Sequence, residues 1–147
     1  MDEFYLFINS HDSLDLYPGS RGGEFKVQLP KTYHMEGEWE CALLEINFVP
    51  AFKYPIQRVY VTSSIVGSQS YANNVLLNVL QSMSVRKEEI TEIIFERPIY
   101  HRTAFQSLHS IDITLRDDHL RVCDMMDDHV FCLLHFRKQK HIEHILS

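Results

Sequence analysis

The chain has 147 residues, a formal net charge of −6 at pH 7 and a hydrophobic fraction of 45%. A chain of this length buries roughly 70% of the surface that its unfolded form exposes, so it can fold as one domain around a real core. The acidic balance disfavours non-specific binding to nucleic acids, because such binding needs a broad cationic surface that releases counterions.

Cysteine usage and the N-terminal segment indicate a protein of a reducing compartment, made in the cytosol. The cysteines form an odd set without a close-spaced pair, unlike the disulfide framework of a small secreted domain; they are Cys41, Cys123 and Cys132. The first residues lack the basic flank and the length of a signal peptide. No window approaches the roughly 18 apolar residues of a transmembrane helix, so we expect no membrane span.

Segments rich in β-branched and aromatic residues alternate with clusters of Gly, Pro, Asn, Asp and Ser, which is typical of an all-β sandwich or barrel. The first predicted strands are Phe4 to Asn9, Glu24 to Leu29 closed by Pro30, and Glu38 to Val49. The third strand is apolar at both parities, so it should be covered on both faces or contain a bulge. Its Trp39 and Leu43 are predicted core residues.

The glycine-containing loop between the first two strands, with Gly19 and Gly22-Gly23, is predicted to be flexible. Further along, Arg58 to Ile65 is predicted as a strand and Gly67 to Asn74 as a polar loop. The stretch Val75 to Met83 fits a helical stripe, but its neighbours are all strands, so a short helix and a strand stay equally open.

The last third alternates most clearly. The stretch Val85 to Glu89 should be charged and exposed, and the strands that follow are Ile90 to Glu96, Leu108 to Arg116, a possible short strand at Leu120 to Cys123, and His129 to Arg137. The period of two places Ile111, Ile113 and Phe136 in the core. The spacing of Ile142, Ile145 and Leu146 predicts a short helical tail. We therefore expect a β-sandwich over 1–138 and a tail over 139–147.

Candidate chemical sites are weak. The densest set of metal-ligand types is Cys132, His135, His141 and His144, but residues three apart on a strand face opposite ways, so no metal site is predicted. No nucleophile elbow or phosphate loop occurs. Paired aspartates at 117–118 and 127–128 are best explained as turn residues. We expect no catalytic site and no cofactor.

Two blocks of the sequence carry a resemblance to a known family. The opening block contains Phe4 to Ser10, Tyr17-Pro18, Phe25, Leu29-Pro30 and Glu36 to Ile46. The closing block contains Phe95 to Tyr100, Ile111 to Ile113, Arg116 to Asp118 and Leu134 to Arg137. These blocks resemble proteins encoded by Maverick or Polinton elements and related adintovirus-like viruses. Both blocks occur in the same order as in those proteins and together span most of the chain. The relatives are longer before the Arg58 to Ile65 region.

The resemblance implies a minor capsid protein: a penton-like subunit with a single jelly-roll sandwich of about eight strands. Such a subunit forms a homopentamer that closes the five-fold vertices of an icosahedral shell, whose main component is a double-jelly-roll protein. The implied location is the virion, assembled in the cytoplasm or nucleus of the host cell. If the resemblance holds, the candidate contact residues are Arg97, Tyr100, His135 and Arg137.

Three alternatives stay open. Arg97 and Arg137 could instead pair with acidic turns of their own chain. A small β-sandwich module for host attachment or carbohydrate recognition would use loops near Tyr17, Tyr54 and Tyr71. An enzyme on the same scaffold would use Asp117, Asp118 or His119 and would need perturbed carboxylates in a cleft.

Overall fold

The computed structural model describes residues 2–51, 56–67, 70–72, 75–86 and 89–139. Within these ranges the secondary structure consists of β-strands and no helix, and therefore no helix long and apolar enough to cross a membrane. The predicted helical tail lies outside the described residues except for Gln139.

Eleven strands follow one another along the described chain. They are β1 Glu3–Asn9, β2 Glu24–His34, β3 Trp39–Phe48, β4 Ile56–Thr62, β5 Ser70–Ala72, β6 Val75–Leu77, β7 Val79–Arg86, β8 Thr91–Ile94, β9 His101–Arg102, β10 Ser107–Arg116 and β11 Phe131–Lys138. Alternating burial accompanies several of them, as in β1, where Phe4, Leu6 and Ile8 are buried and the residues between them are exposed.

Nine of these strands form two antiparallel sheets that pack face to face. The first sheet has the order β1-β11-β3-β8, with β9 also paired to β3, and the second has the order β2-β10-β4-β7. Strands β5 and β6 form a separate hairpin between β4 and β7. Consecutive strands of the sandwich therefore change sheets at every connection except those from β4 to β7 and from β8 to β9.

This topology is that of a jelly roll. The first strand pairs with the last, β2 with β10, β3 with β8, and β4 with β7. A chain with this nested pairing is one long antiparallel hairpin rolled up into a sandwich, which is how a jelly roll leaves few open sheet edges. The predicted all-β jelly-roll fold is confirmed.

The core lies between the two sheets and contains every core residue that the sequence predicted. Trp39 is 3% exposed and its indole Nε1 donates to the carbonyl of Glu36 at 3.0 Å. The other four are fully buried; they are Leu43, Ile111, Ile113 and Phe136. The ring of Phe136 stacks on Phe4 with centroids 4.8 Å apart.

Strand β3 contains the bulge that its pattern allowed. Glu45 pairs with Leu133 and Leu43 pairs with Leu134, so Leu44 is an extra residue on β3. Leu43 and Ile46 are fully buried, whereas Leu44 and Glu45 are only half-buried. The two bulge residues therefore lie on the outer face of the sheet, and the inward parity changes at this point.

Pro30 does not close β2, and that prediction is wrong. The strand continues to His34 as an edge strand of the second sheet, with a register shift opposite the stretch between Leu108 and Ser110. Proline is tolerated there because an edge strand at a bulge does not need every N–H for the ladder.

The helical alternative for Val75 to Met83 is wrong, because the stretch forms β6 and part of β7. In the pairing with β4, Val61 faces Gln81 and Thr62 faces Val79, so Leu80 is a bulge residue. Leu80 and Met83 both point into the core, and the bulge changes their spacing from two to three. The apolar residues of this strand therefore have a spacing that also fits one face of a helix.

Three smaller predictions need correction. Val85 is buried in β7, so the charged exposed stretch does not begin there. Ser70–Ala72 is a strand inside the predicted polar loop. Leu120 to Cys123 is not a strand, since only Val122 forms an isolated bridge, to Arg116.

The glycine pair at 22–23 is packed rather than flexible, so that prediction is also wrong. Both glycines are buried, and the Gly23 carbonyl accepts from the N–H of Leu115 at 2.8 Å. A Cβ on Gly23 would collide with the carbonyl oxygen of Cys123. The absence of a side chain lets the loop pass against the 115–123 turn.

The three cysteines are free and buried, as predicted. Burial raises the pKa of Cys132 to about 12, and burial with nearby aspartates raises the pKa of Cys123 to about 12. Burial also raises the pKa of Cys41. The thiols therefore stay protonated and behave as small apolar core side chains.

We expect Trp39→Ala to lower the free energy of unfolding by about 3–5 kcal/mol. The substitution opens a cavity between the sheets and removes the hydrogen bond from the indole to the Glu36 carbonyl. Urea denaturation followed by tyrosine fluorescence and circular dichroism measures the loss. The exposed Arg97→Ala serves as control. A Trp39→Ala protein as stable as the parent would contradict the core placement.

Candidate functional site

The outer face of the second sheet has the polar character of a solvated surface. Its side chains include Lys26, Tyr60, Ser84, Asp112 and Thr114. The carboxylate of Asp112 accepts from the backbone N–H of Ser64 at 3.2 Å and also from its hydroxyl. This face follows the rule that an antiparallel sheet buries one side and hydrates the other.

The outer face of the first sheet is different, because large apolar side chains lie on it. Phe7 is 66% exposed, Tyr5 50% and Ile94 72%. Three half-buried residues lie beside them, and together they define the apolar face: Tyr5, Phe7, Leu44, Ile94, Phe131 and Leu133.

Strand pairing brings this apolar face together. Phe7 lies opposite Leu133, Leu133 opposite Glu45, and Glu45 opposite Ile94, so one row crosses four strands. The rings of Phe7 and Phe131 lie 6.4 Å apart. A contiguous exposed apolar area on one sheet face marks an interaction surface more often than scattered apolar residues do.

Uninterrupted apolar runs in two strands are the sequence pattern that indicates this face. Strand β1 is apolar at five consecutive positions, Phe4 to Ile8, instead of alternating. The same holds for Phe131 to Leu134 in β11. A strand with apolar residues at every position is normally covered on both faces of its sheet. Residues Phe7 and Leu133 were therefore missed as site candidates although their strands were predicted correctly.

A polar cluster borders the apolar face, built around His135. This imidazole is 7% exposed, and its Nε2 lies 3.1 Å from the Glu3 carboxylate while its Nδ1 lies 2.7 Å from the Tyr100 hydroxyl. A carboxylate only accepts, so Nε2 carries the proton that is donated to Glu3, and in this tautomer Nδ1 accepts from the Tyr100 hydroxyl. The ring of Tyr5 stacks on the imidazole with centroids 4.4 Å apart.

Arg137 completes the cluster. Its guanidinium lies 3.4 Å from the centroid of the Tyr100 ring, and its Nε donates to Glu40 at 2.6 Å. Glu40 also accepts from the amide of Gln139 at 3.2 Å. Burial raises the pKa of Tyr100, and the Arg137 cation opposes that shift. The phenol therefore stays protonated and donates to His135.

Three of the four predicted contact residues meet in this cluster. Tyr100 contacts both His135 and Arg137, whereas Arg97 is exposed and lies outside the cluster. The intrachain alternative holds for Arg137 in a modified form, since its partner Glu40 lies on strand β3 and not in a turn. Their role in contacts between subunits stays a prediction.

An open groove of about 840 Å³ lies at the same end of the first sheet. Its lining is charged and consists of Asp2, Glu3, Glu40, Arg137, Lys138 and Gln139. The groove lies beside the apolar face, because Glu3 and Tyr5 share the outer face of β1 and Arg137 and Leu133 share the outer face of β11.

The aspartate pairs act as turn residues, as predicted. Asp117 accepts from the backbone N–H groups of His119 and Arg121 at 2.8 and 3.0 Å. Asp127 accepts from the N–H of His129 at 3.1 Å, and Asp128 has a positive φ of 56°. These carboxylates are engaged in holding local backbone.

Other residue types that could bind ligands are dispersed. Cys132 faces the core and His135 faces outward, as the strand period requires. Among the described residues no group of three or more His, Cys, Asp or Glu side chains is placed to hold a metal ion. Of the tyrosines predicted for a ligand face, Tyr17 donates to Gln28 at 3.1 Å, while Tyr54 and the side chain of Tyr71 lie outside the described part.

A scan against models of protein families finds no match to this chain, and a search among curated proteins finds none either.

We expect Tyr100→Phe to cost about 1–3 kcal/mol of stability, because it leaves the buried Nδ1 of His135 without its donor while it keeps the ring under Arg137. Equilibrium unfolding in urea gives the difference. Tyr60→Phe, on the polar outer face of the second sheet, is the matched control. Equal losses in the two variants would show that the hydrogen bond to His135 contributes nothing specific.

Proposed function

We propose that this chain is a structural subunit of a viral capsid, a penton-like minor capsid protein of the Maverick and Polinton type. The observation that carries the proposal is the contrast between the two outer faces of the jelly roll. One sheet presents a polar surface to water, while the other presents Phe7, Leu133 and Ile94 in one row. An exposed apolar surface such as the one on the first sheet is typical of a protein–protein interface.

A ring of identical subunits supplies such a partner. In a closed ring each copy uses two different patches, one for the neighbour on each side. The fully covered centre of a permanent interface is apolar and aromatic, and its rim is polar. The apolar face has that composition, with Phe131 and Leu133 on the inner strand β11, Tyr5 and Phe7 on the edge strand β1, and the charged groove at its end.

The polar cluster suits the rim of this interface. Tyrosine and arginine are enriched among residues that contribute most to binding, especially where packing holds their side chains in place. Arg137 is fixed between Glu40 and the Tyr100 ring before any partner arrives. An ordered side chain loses little conformational entropy on binding, which favours assembly.

The proposal includes partners and a location. The chain forms a homopentamer, and that pentamer contacts a major double-jelly-roll capsid protein at the five-fold vertices. Assembly takes place in the cytoplasm or nucleus of the host cell, and the assembled protein belongs to the virion. The role is structural and needs no catalytic residue, cofactor or direct contact with nucleic acid. The acidic net charge of −6 supports the last point.

A small binding module is the second candidate. Tyr5 and Phe7 expose two rings on one flat strand, which is a surface on which a sugar ring or another planar ligand can stack. This module would act as a monomer, so the association state separates the two functions.

The primary test is the mass of the purified chain by light scattering, with negative-stain images of the same fraction. We expect a closed ring of five copies of the 17.3 kDa chain. A chain that stays monomeric at all concentrations, also when mixed with a double-jelly-roll shell protein from the same genome, would contradict the capsid assignment. Glycan-array binding by that monomer would then support the second candidate.

We expect Phe7→Glu to break the assembly into monomers, because it places a charge on the apolar face, where partner burial would leave it unpaired. The fold should persist, since Phe7 is 66% exposed in the single chain. Ser84→Glu adds the same charge to the outer face of the second sheet and serves as control. Light scattering and circular dichroism are measured on both variants. Retention of the ring by Phe7→Glu would place the interface elsewhere.

A further inference from the structure

Residues 140–147 follow directly after the described sandwich and carry three apolar side chains, Ile142, Ile145 and Leu146. We propose that this C-terminal segment of one copy docks on the apolar face of a neighbouring copy, against Phe7, Leu133 and Ile94. The inference rests on the proposed function, because it requires that copies associate, and it names the element that connects them.

The chain leaves the sandwich next to this face. Strand β11 lies inside the first sheet and ends at Lys138, whose N–H donates to the carbonyl of Asp2 at 2.8 Å. The N–H of Gln139 still donates to the carbonyl of Glu38 at 2.7 Å. The described chain therefore reaches Gln139 at the end of the first sheet, beside the charged groove that Glu3, Glu40 and Arg137 line.

Distances favour a neighbouring copy over the chain's own face. Strand β11 runs away from the apolar row, and four residues, or about 13 Å, separate Leu133 from Arg137. The apolar spacing of the segment predicts a helix, and eight residues of helix extend only about 12 Å. A reversal of the chain at the strand end would consume part of that length. The segment therefore falls short of its own Phe7 and Leu133, while a neighbouring copy has no such limit.

One charge of the segment complements the border of the face. Glu45 lies in the apolar row between Leu133 and Ile94, and Glu92 lies on the same outer face beside it. Lys140 opens the segment, and its ammonium group can pair with one of these carboxylates. Such a pair helps to fix the orientation of the docked segment.

Docking would also stabilise the helix that the apolar spacing of the segment predicts. A helix of this length is marginal in water, because its nucleation cost exceeds what a few hydrogen bonds return. An amphipathic helix that lays its apolar side on an apolar surface gains the missing stabilisation from the partner. Assembly and ordering of the segment would then occur together.

The first test uses the full chain with Ile142→Ser, Ile145→Ser and Leu146→Ser combined. We expect its mass in light scattering to fall from that of the ring to the 17.3 kDa of one chain. The control carries Glu143→Gln and Ser147→Ala and should keep the mass of the ring. A triple variant that keeps the ring overturns this inference and leaves the proposed function standing.

The second test measures docking directly, whatever the association state of the parent. A fluorescent peptide with the sequence of residues 138–147 is titrated into the triple variant, and its anisotropy is recorded. We expect saturable binding that weakens by at least about tenfold when Phe7→Glu is added and does not change with Ser84→Glu. No binding, or equal weakening by both substitutions, overturns the inference. A parent that stays monomeric also in the presence of the shell protein would contradict the proposed function, independently of this inference.

Discussion

Antiparallel pairing between the two ends of the chain is the interaction on which the rest of the structure depends. Glu3 to Asn9 pairs residue by residue with Phe131 to Arg137, which closes the rolled hairpin. The same pairing stacks Phe4 on Phe136 inside the sandwich and sets Phe7 beside Leu133 outside it. It also brings Glu3 to His135, so the core, the apolar face and the polar cluster share one origin.

Two sheets of one sandwich serve different purposes here. The second sheet buries one side and presents a polar side to water. The first sheet is apolar on its inner side, and its outer side carries exposed rings and aliphatic side chains beside charged residues. The stability of the fold comes from the inner side, where Leu43, Ile111 and Phe136 are fully buried. Substitutions on the outer side can therefore report on association without unfolding the chain.

Parts of the fold were predictable because their information is local. Alternation placed β10, runs of aromatic and aliphatic residues placed β1 and β11, and the double parity of Glu38 to Val49 indicated the bulge at Leu44. Bulges also caused the errors: Leu80 shifts the apolar spacing in β7 from two to three, and Pro30 lies where β2 passes a register shift. For the site, the resemblance led to Tyr100, His135 and Arg137, but Phe7 was missed because its strand neighbours were not known.

The sequence by itself determined the strands, the apolar core positions and the reduced thiols, because propensity and period act over a few residues. Only the tertiary structure decided which strands lie side by side. The pairing of Glu3 with Arg137 or Phe7 with Leu133 joins residues more than a hundred positions apart, and no local pattern specifies it. Tertiary packing also decided that one outer face is polar and the other apolar, since that follows from the order of strands within each sheet.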